Sequence, residues 1–363
     1  MALPAGAATP YHWQNDGFRD FGEGRVMATW RAFVATVLSL AGAVLQAGEP
    51  PAAKAATLAV ACKWSDCVEF YDAASGRPQQ SLPIGRRPHE MVLSHDGALA
   101  YVTLYGTDFY YDNAEGGRAV AILDVANRRK LGEIDLGQYR RPHGIEVGHH
   151  SGKLYVTCDR PAALLVVDPQ QRSIEASIQL ANPQSLPHMV AVSRDERTAY
   201  VANCGDGMVS VIDLETRQET KGISIGGVPM GMALSTDGKT LFATNRTANG
   251  VAVIDTASAK VKRIIEIPGQ PVRALLTPDE RHLVLTLIET GEIAVVDVGE
   301  LAVSRRLPIG QRVEGLLIDA EGRFGYASAQ ADNKVVKFSL YDWRTVLEIK
   351  TAERPDPMLL LSH

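Results

Sequence analysis

Three histidines and two carboxylates stand at equivalent positions of a pattern that recurs along this chain. The full set is His89, His143, His188, Met230, Val272, Glu314 and Asp356, found in the runs RRPHEM, RRPHGI, SLPHMV, GVPMGM, QPVRAL, QRVEGL and RPDPML. Neutral imidazoles with a carboxylate form a ligand set for zinc, iron, manganese or copper, the choice depending on geometry and softness. A metal held by His89, His143 and His188 would polarise a substrate oxygen or activate water, with Glu314 or Asp356 as base. Histidines at such positions also serve to bridge backbone carbonyls or water. The chemistry therefore depends on whether the fold gathers the seven positions.

The spacing indicates that it does. From residue 188 the position recurs at 230, 272, 314 and 356, a constant step that marks a repeat architecture. Each run opens a first strand. A polar turn follows (SHDG, DERT, STDG, TPDE, DAEG), then a second strand (LAYVT, KLYVT, TAYVA, TLFAT, HLVLT, FGYAS), a third ending at or near Asp (VAILDV, LLVVD, VSVIDL, VAVIDT, IAVVDV), and a fourth leading to the next unit. Alternating β-branched residues bounded by Gly, Asp, Asn and Pro give short strands and hairpins, and four such strands make one propeller blade. Six complete units run from about residue 82 to 350. Residues 55–81 supply second, third and fourth strands without a first, and the C-terminal RPDPMLLLS supplies a first strand with nothing after it. The expectation is an all-β, seven-bladed β-propeller with a split closure blade, completed by the C-terminal strand so that no sheet edge is left free. First strands line the central channel, so the seven side chains should ring one mouth. Glu314, Asp356, His89, His143 and His188 are then contiguous, with Met230 and Val272 on the far side.

The runs YVTL, YVTC, YVAN and FATN, with their following IDL and IDT segments, resemble the YVTN family of β-propeller repeats over nearly all of residues 55–363. The resemblance implies the seven-bladed fold. It implies less about function, because such propellers serve as enzymes, electron-transfer subunits, surface proteins and binding modules. Exported propellers of the YncE type imply a non-catalytic binding or scaffold role, in some cases on single-stranded DNA. RPHG is similar to a motif of streptogramin lyases, in which a propeller uses a metal and a histidine base to open a cyclic ester. The acidic residue those lyases carry at the end of the second strand is missing here, where Cys62, Leu104, Cys158, Asn203, Asn245, Leu287 and Ala329 stand. Hydrolase, lactonase, lyase and oxidoreductase chemistries stay open. The histidine cluster is analogous to that of carotenoid-cleaving propeller oxygenases, without their motifs. Haem d1 and quinoprotein propellers rank lower, since the chain has no CxxCH and no tryptophan-rich blade signature.

One loop breaks the pattern. Between the second and third strands of the first complete blade, YGTDFYYDNAEGG (residues 105–117) replaces a short turn. Long loops on a rigid scaffold commonly carry function. Its Phe109, Tyr110 and Tyr111 are candidates to cover an apolar substrate, and Asp108 and Asp112 to add charge or oxygen ligands. Arg160, Arg246 and Arg273 are candidates to hold an anionic group, Arg273 alternatively pairing with a carboxylate. His95, His149 and His150 fall in the opposite hairpin turns, and His282 and His363 also lie outside the ring.

The 363 residues are 45% hydrophobic and 22% charged with a formal net charge of -5, as one compact domain requires and with no general footprint for nucleic acid. Arginine pairs at 86–87, 140–141 and 305–306 are the local exceptions, and a single-strand site would need a basic, aromatic-lined face. Residues 32–47 carry no charge, follow Arg31 and end in small residues, the pattern of a signal peptide and short for a membrane span. On this reading residues 1–26 are a start-site extension ahead of Met27, 27–55 a signal peptide and leader, and 56–363 the propeller, periplasmic or secreted. In an oxidising compartment the four cysteines are expected to pair as Cys62–Cys67, across a hairpin, and Cys158–Cys204, at second-strand ends of neighbouring blades. The alternative has Cys62 and Cys158 giving sulfur to a metal. The functional expectation is a monomeric, metal-dependent enzyme acting on a small molecule without a membrane span; the alternative is a periplasmic binding or scaffold propeller with a protein partner.

Overall fold

The computed structural model describes residues 56–362; the extension at 1–26 and the leader at 27–55 lie outside them. The described residues form twenty-eight strands in seven four-stranded sheets. Seven first strands line the channel: β4 (Pro88–Leu93), β8 (Arg140–Val147), β12 (Pro187–Val192), β16 (Pro229–Leu234), β20 (Pro271–Leu276), β24 (Val313–Ile318) and β28 (Pro355–Ser362). They touch one another in that order, and β28 returns to β4. Closure follows the expected split: β28 pairs antiparallel with β1 (Ala56–Cys62), which continues into β2 (Cys67–Asp72) and β3 (Pro78–Pro83).

Second strands such as β5 (Leu99–Leu104) are buried on both faces, whereas fourth strands such as β7 (Arg129–Asp135) are mostly exposed. This gradient explains why LAYVTL is nearly continuous in apolar residues while RKLGEID alternates. The core lies between blades: Tyr101, Val120 and Ile122 of one blade interlock with Val156, Leu165 and Val167 of the next. Each such side chain contributes roughly 1.5–3 kcal/mol on burial.

The threonine of the second strand has a defined task. Thr103 Oγ1 accepts from Glu90 N at 2.9 Å and donates to His143 O at 2.9 Å. Thr157 repeats the pair with Gly144 N (2.8 Å) and His188 O (2.6 Å), as do Thr244 and Thr286 further round. A bulge in each of these first strands, as between Pro88 and Met91, frees the N–H that the hydroxyl satisfies. One hydroxyl thus fixes its own first strand and ties it to the neighbouring one, locking the mouth residues in place. Among the described residues no helix is long and apolar enough to cross a membrane.

Candidate functional site at the channel mouth

The mouth begins with the bulge. Arg87, Leu186, Gln270, Arg312 and Arg354, which precede five of the first strands, and Arg141, the second residue of β8, all hold left-handed backbone (φ 49° to 58°) at the entry to the mouth. His89, His143 and His188 thereby come into direct contact. His89 and His143 have ring centroids 3.9 Å apart, and His143 and His188 3.8 Å, the planes tilted by 48° and 39°. Glycine allows the approach, since a Cβ on Gly144 would lie 2.4 Å from His188 O.

Hydrogen-bond partners assign the tautomers. Lysine has no acceptor, so Lys63 Nζ, 3.1 Å from His89 Nε2, makes that nitrogen the lone-pair side and leaves Nδ1–H to face Glu90 Oε1 at 3.4 Å. Met230 O only accepts, so His188 carries its proton on Nδ1 (3.3 Å) and presents Nε2 unprotonated. His143 Nδ1 is buried without a hydrogen-bond partner. Burial pushes all three imidazoles well below their ordinary pKa; Lys63 adds to the effect at His89, and neighbouring imidazoles add to it at His143 and His188. They are neutral at pH 7, the form that binds metals.

Ligand atoms of His89, Glu90 and His143 lie within 4.8 Å of one another, a spacing that can hold a metal ion. His188 also stands in contact with His143. The three histidines thus form a stack, and the carboxylate nearest the first two is Glu90. Glu314 lines the cleft and is held by Arg312 (2.9 Å) and Gln330 (2.8 Å), the latter on a short 3-10 helix (Gln330–Asp332). Asp356 is 1% exposed and pairs with Lys63 and with Arg273 at 3.5 Å. Arg273 meets Glu90 through both guanidinium nitrogens, one at 2.9 Å, so it pairs with carboxylates and does not line the cleft. Arg246 does line it, donating to Gln270 at 3.1 Å, whereas Arg160 is exposed and outside it.

The cleft encloses about 120 Å³ under the loop at residues 105–117, whose Phe109, Tyr110 and Tyr111 form one wall. Phe109 and Tyr111 stack at 5.1 Å, and Tyr110 meets Tyr111 edge-on at 5.2 Å. Arg141, fully buried, pins the loop by donating to the carbonyls of Tyr110 (3.1 Å), Asp112 and Ala114. Asp112 accepts from the N–H groups of Asp108 and Phe109, and Asp108 pairs with Arg87, so both acids serve the loop itself. Tyr105 packs on His89 and His143 and donates to Asp159 at 2.6 Å; burial pushes that carboxyl up to about 7.

All four cysteines are free thiols. Cys62 and Cys67 are direct cross-strand partners, as the hairpin reading required. Cys158 and Cys204 are not placed to pair: Cys158 packs between its own blade and the preceding one, while Cys204 lies with Met230 toward the following one, its Sγ 3.3 Å from Met230 Sδ. Second-strand ends of neighbouring blades are separated by a whole inter-blade layer, which the spacing argument overlooked. His95, His149 and His150 are exposed, away from the cluster.

Sequence reasoning did not find Lys63, Glu90, Arg312, Gln330 or Arg354, and it noticed Arg141 only within an arginine pair. Glu90 left a signal. The residue following the mouth position is Glu90, Gly144, Met189, Gly231, Arg273 and Gly315 in successive blades. Large residues alternate with glycines, and the three large ones meet on the axis, where Arg273 contacts both Glu90 and Met189.

Fold and site together define a seven-bladed propeller with a histidine cluster at one end of its channel. Residues 150–361 match the cytochrome D1 heme domain family. The chain belongs to that family, which the sequence reading had ranked below the YVTN propellers. No curated protein sequence matches the chain. Solved structures share the fold: Kuenenia stuttgartiensis hydrazine synthase (21% identity, TM-score 0.62, covering 74% of this chain and 88% of that one), the dihydro-heme d1 dehydrogenase NirN in complex with DHE (15%, 0.59, 84% and 74%), and a putative 6-phosphogluconolactonase from Bacteroides fragilis (13%, 0.69, 86% and 100%).

The family implies a haem d1 group, and the mouth can be tested for it. Imidazoles are suitable iron ligands, and Arg246, Arg312 and Arg354 suit acidic substituents. The space does not suit a macrocycle. The cleft of about 120 Å³ is far below the roughly 300–1,000 Å³ usual for such ligands, and the histidine rings stack on one another with no gap for a porphyrin plane. The mouth accommodates an ion or a small molecule.

Proposed function

We propose that this propeller binds one divalent transition metal at the channel mouth through His89, Glu90 and His143, with His188 adjoining, and acts on a small anionic molecule held under the loop at residues 105–117. The reading is carried by one observation: ligand atoms of those three residues lie within 4.8 Å of one another, and His143 Nδ1 is buried without a hydrogen-bond partner. A metal there would polarise a substrate oxygen. Arg246, Arg312 and Arg354 would orient an anionic group, Tyr110 and Tyr111 would shed water from it, and Glu314, which lines the same cleft, would move a proton. Asp356, enclosed and doubly paired, holds Lys63 and Arg273 in position.

Export to the periplasm, with residues 27–55 as leader, belongs to the same proposal, as does the kinship with YVTN repeats, whose threonine supplies the ties described above. Elemental analysis of protein prepared without a histidine tag, together with its absorption spectrum, tests the reading. Stoichiometric zinc, iron, manganese or copper without a haem band supports it; a haem band or a metal-free protein that takes up none of these ions overturns it. A second reading, an anion-binding propeller without metal, is favoured by Lys63, which occupies the His89 lone pair at 3.1 Å.

A further inference from the structure

We infer that the opposite half of the channel is a second ligand site, for an uncharged apolar molecule carrying a hydrogen-bond-accepting carbonyl, and that it works independently of the histidine mouth. Glu90, Met189 and Arg273 meet on the axis and divide the channel. Beyond them, toward the other face, lies a cavity of about 710 Å³, within the roughly 300–1,000 Å³ typical of small-molecule sites. Its wall is mixed, with an apolar stretch formed by Met91, Ile145, Met189, Met232, Leu234 and Leu276. That apolar stretch gains from exchanging water for an apolar occupant, and methionines adapt to its shape.

Among the polar groups of the cavity, Glu146 is the one set beside the apolar stretch of the same strand. Glu146 on β8 lines the cavity, and its Oε2 accepts from Val192 N at 2.9 Å. Burial pushes its carboxyl up to about 8, so it is protonated at pH 7 and its other oxygen has a proton to donate. The charged and titratable groups lining the same cavity are Glu90, already paired with Arg273, and His149, His150, Arg194 and Glu280, none of which forms an ion pair with Glu146 among the described residues. A neutral donor beside apolar side chains favours a neutral carbonyl.

The test uses the full-length protein and calorimetric titration with the methyl ketones from 2-hexanone to 2-decanone. Saturable binding should tighten about four-fold per added methylene. Leu234→Trp, which fills the chamber, should abolish it, and Met232→Trp serves if the first variant does not fold. Glu146→Ala should weaken binding about five-fold. Glu146→Gln should retain it, because the amide still accepts from Val192 and donates one N–H. Raising the pH from 6.5 to 9.5 should weaken binding to the natural protein and leave the Gln variant unaffected. Metal uptake at the mouth should not change in these variants. Absence of saturable binding for every ketone, binding that survives both tryptophan variants, or an Ala variant equal to the natural protein would each overturn the proposal.

Discussion

Lys63→Met is the perturbation that separates the two readings of the mouth. Its ammonium lies 3.1 Å from His89 Nε2, on the lone pair a metal would need. A metal at about 2.1 Å on that lone pair would displace the ammonium; with Lys63 moved to roughly 4 Å, each pair of unit charges still costs about 4 kcal/mol at an effective dielectric of about 20, hence about 8 kcal/mol for a divalent ion. Lys63 can swing away and recover much of this. A residue of only about 1.4 kcal/mol is still a ten-fold change in affinity. The variant should therefore bind Zn2+ or Co2+ at least about ten-fold more tightly in calorimetric titration. Asp356, 1% exposed, loses its nearest cation at the same time. Breaking a buried pair costs about 3–5 kcal/mol, less here because Arg273 remains at 3.5 Å. The metal-free variant should melt lower than the natural protein and regain more on adding metal. A folded variant with equal or weaker metal affinity would refute the reasoning, since the metal could not then be sharing His89 with Lys63.

Three further outcomes follow from the same geometry. In metal-free protein, His89, His143 and His188 have depressed folded pKa values, so the unfolded chain binds more protons and stability rises with pH; their contribution is complete above about 6.5 and is lost as the pH falls from there toward the folded values, by at most roughly 4 kcal/mol per pH unit, a slope that denaturation between pH 7 and 5 measures and that triple substitution to Gln should flatten. Gly144→Ala should cost about 1–3 kcal/mol in chemical denaturation and weaken metal binding, because its Cβ would meet His188 O at 2.4 Å and push β8 from β12; a neutral substitution would show that the first strands have slack. Under mild oxidation, non-reducing mass spectrometry should find a Cys62–Cys67 bridge and free thiols at Cys158 and Cys204: Cys62 hydrogen-bonds to Cys67 and holds its thiol below the ordinary value, while burial pushes the other two up.

The fold was legible almost in full because a propeller states each element several times over. The alternation in VSVIDL or VAVIDT, the polar hairpin turns and the constant step repeat the same evidence, and the missing first strand at residue 55 matched the surplus one at 355. Repetition also exposed the mouth, since equivalent positions on equivalent strands must converge. Cys158–Cys204 failed for the complementary reason. Sequence equivalence places two residues at the same height in adjacent blades but gives no measure of the packed layer between them, and that layer decides whether sulfurs meet.

What the sequence did not disclose was the identity of the groups answering the ring from outside it. Lys63 sits in a hairpin turn, where a lysine reads as solvated, and only the pairing of β28 with β1 brings it to Asp356, and the packing of that blade on the next brings it to His89. Glu90 is the neighbour of a noticed residue, but strand alternation predicts that it points away. The bulge between Pro88 and Met91 cancels that rule and turns two consecutive side chains inward, one to the histidine stack and one to the axis. The six-residue sequence Glu-Gly-Met-Gly-Arg-Gly at the position after the ring is therefore a second pattern with its own logic. Glycines let neighbouring first strands approach, and the three large residues fill the space so created. Replacing Met189 with Gly would remove one of those three, and the Arg273–Glu90 pair would lose its apolar cover at the boundary between the two ends of the channel. If that pair divides the channel as its position implies, the variant should pass hydrated ions from the far cavity to the mouth, and metal uptake should quicken without a change in affinity.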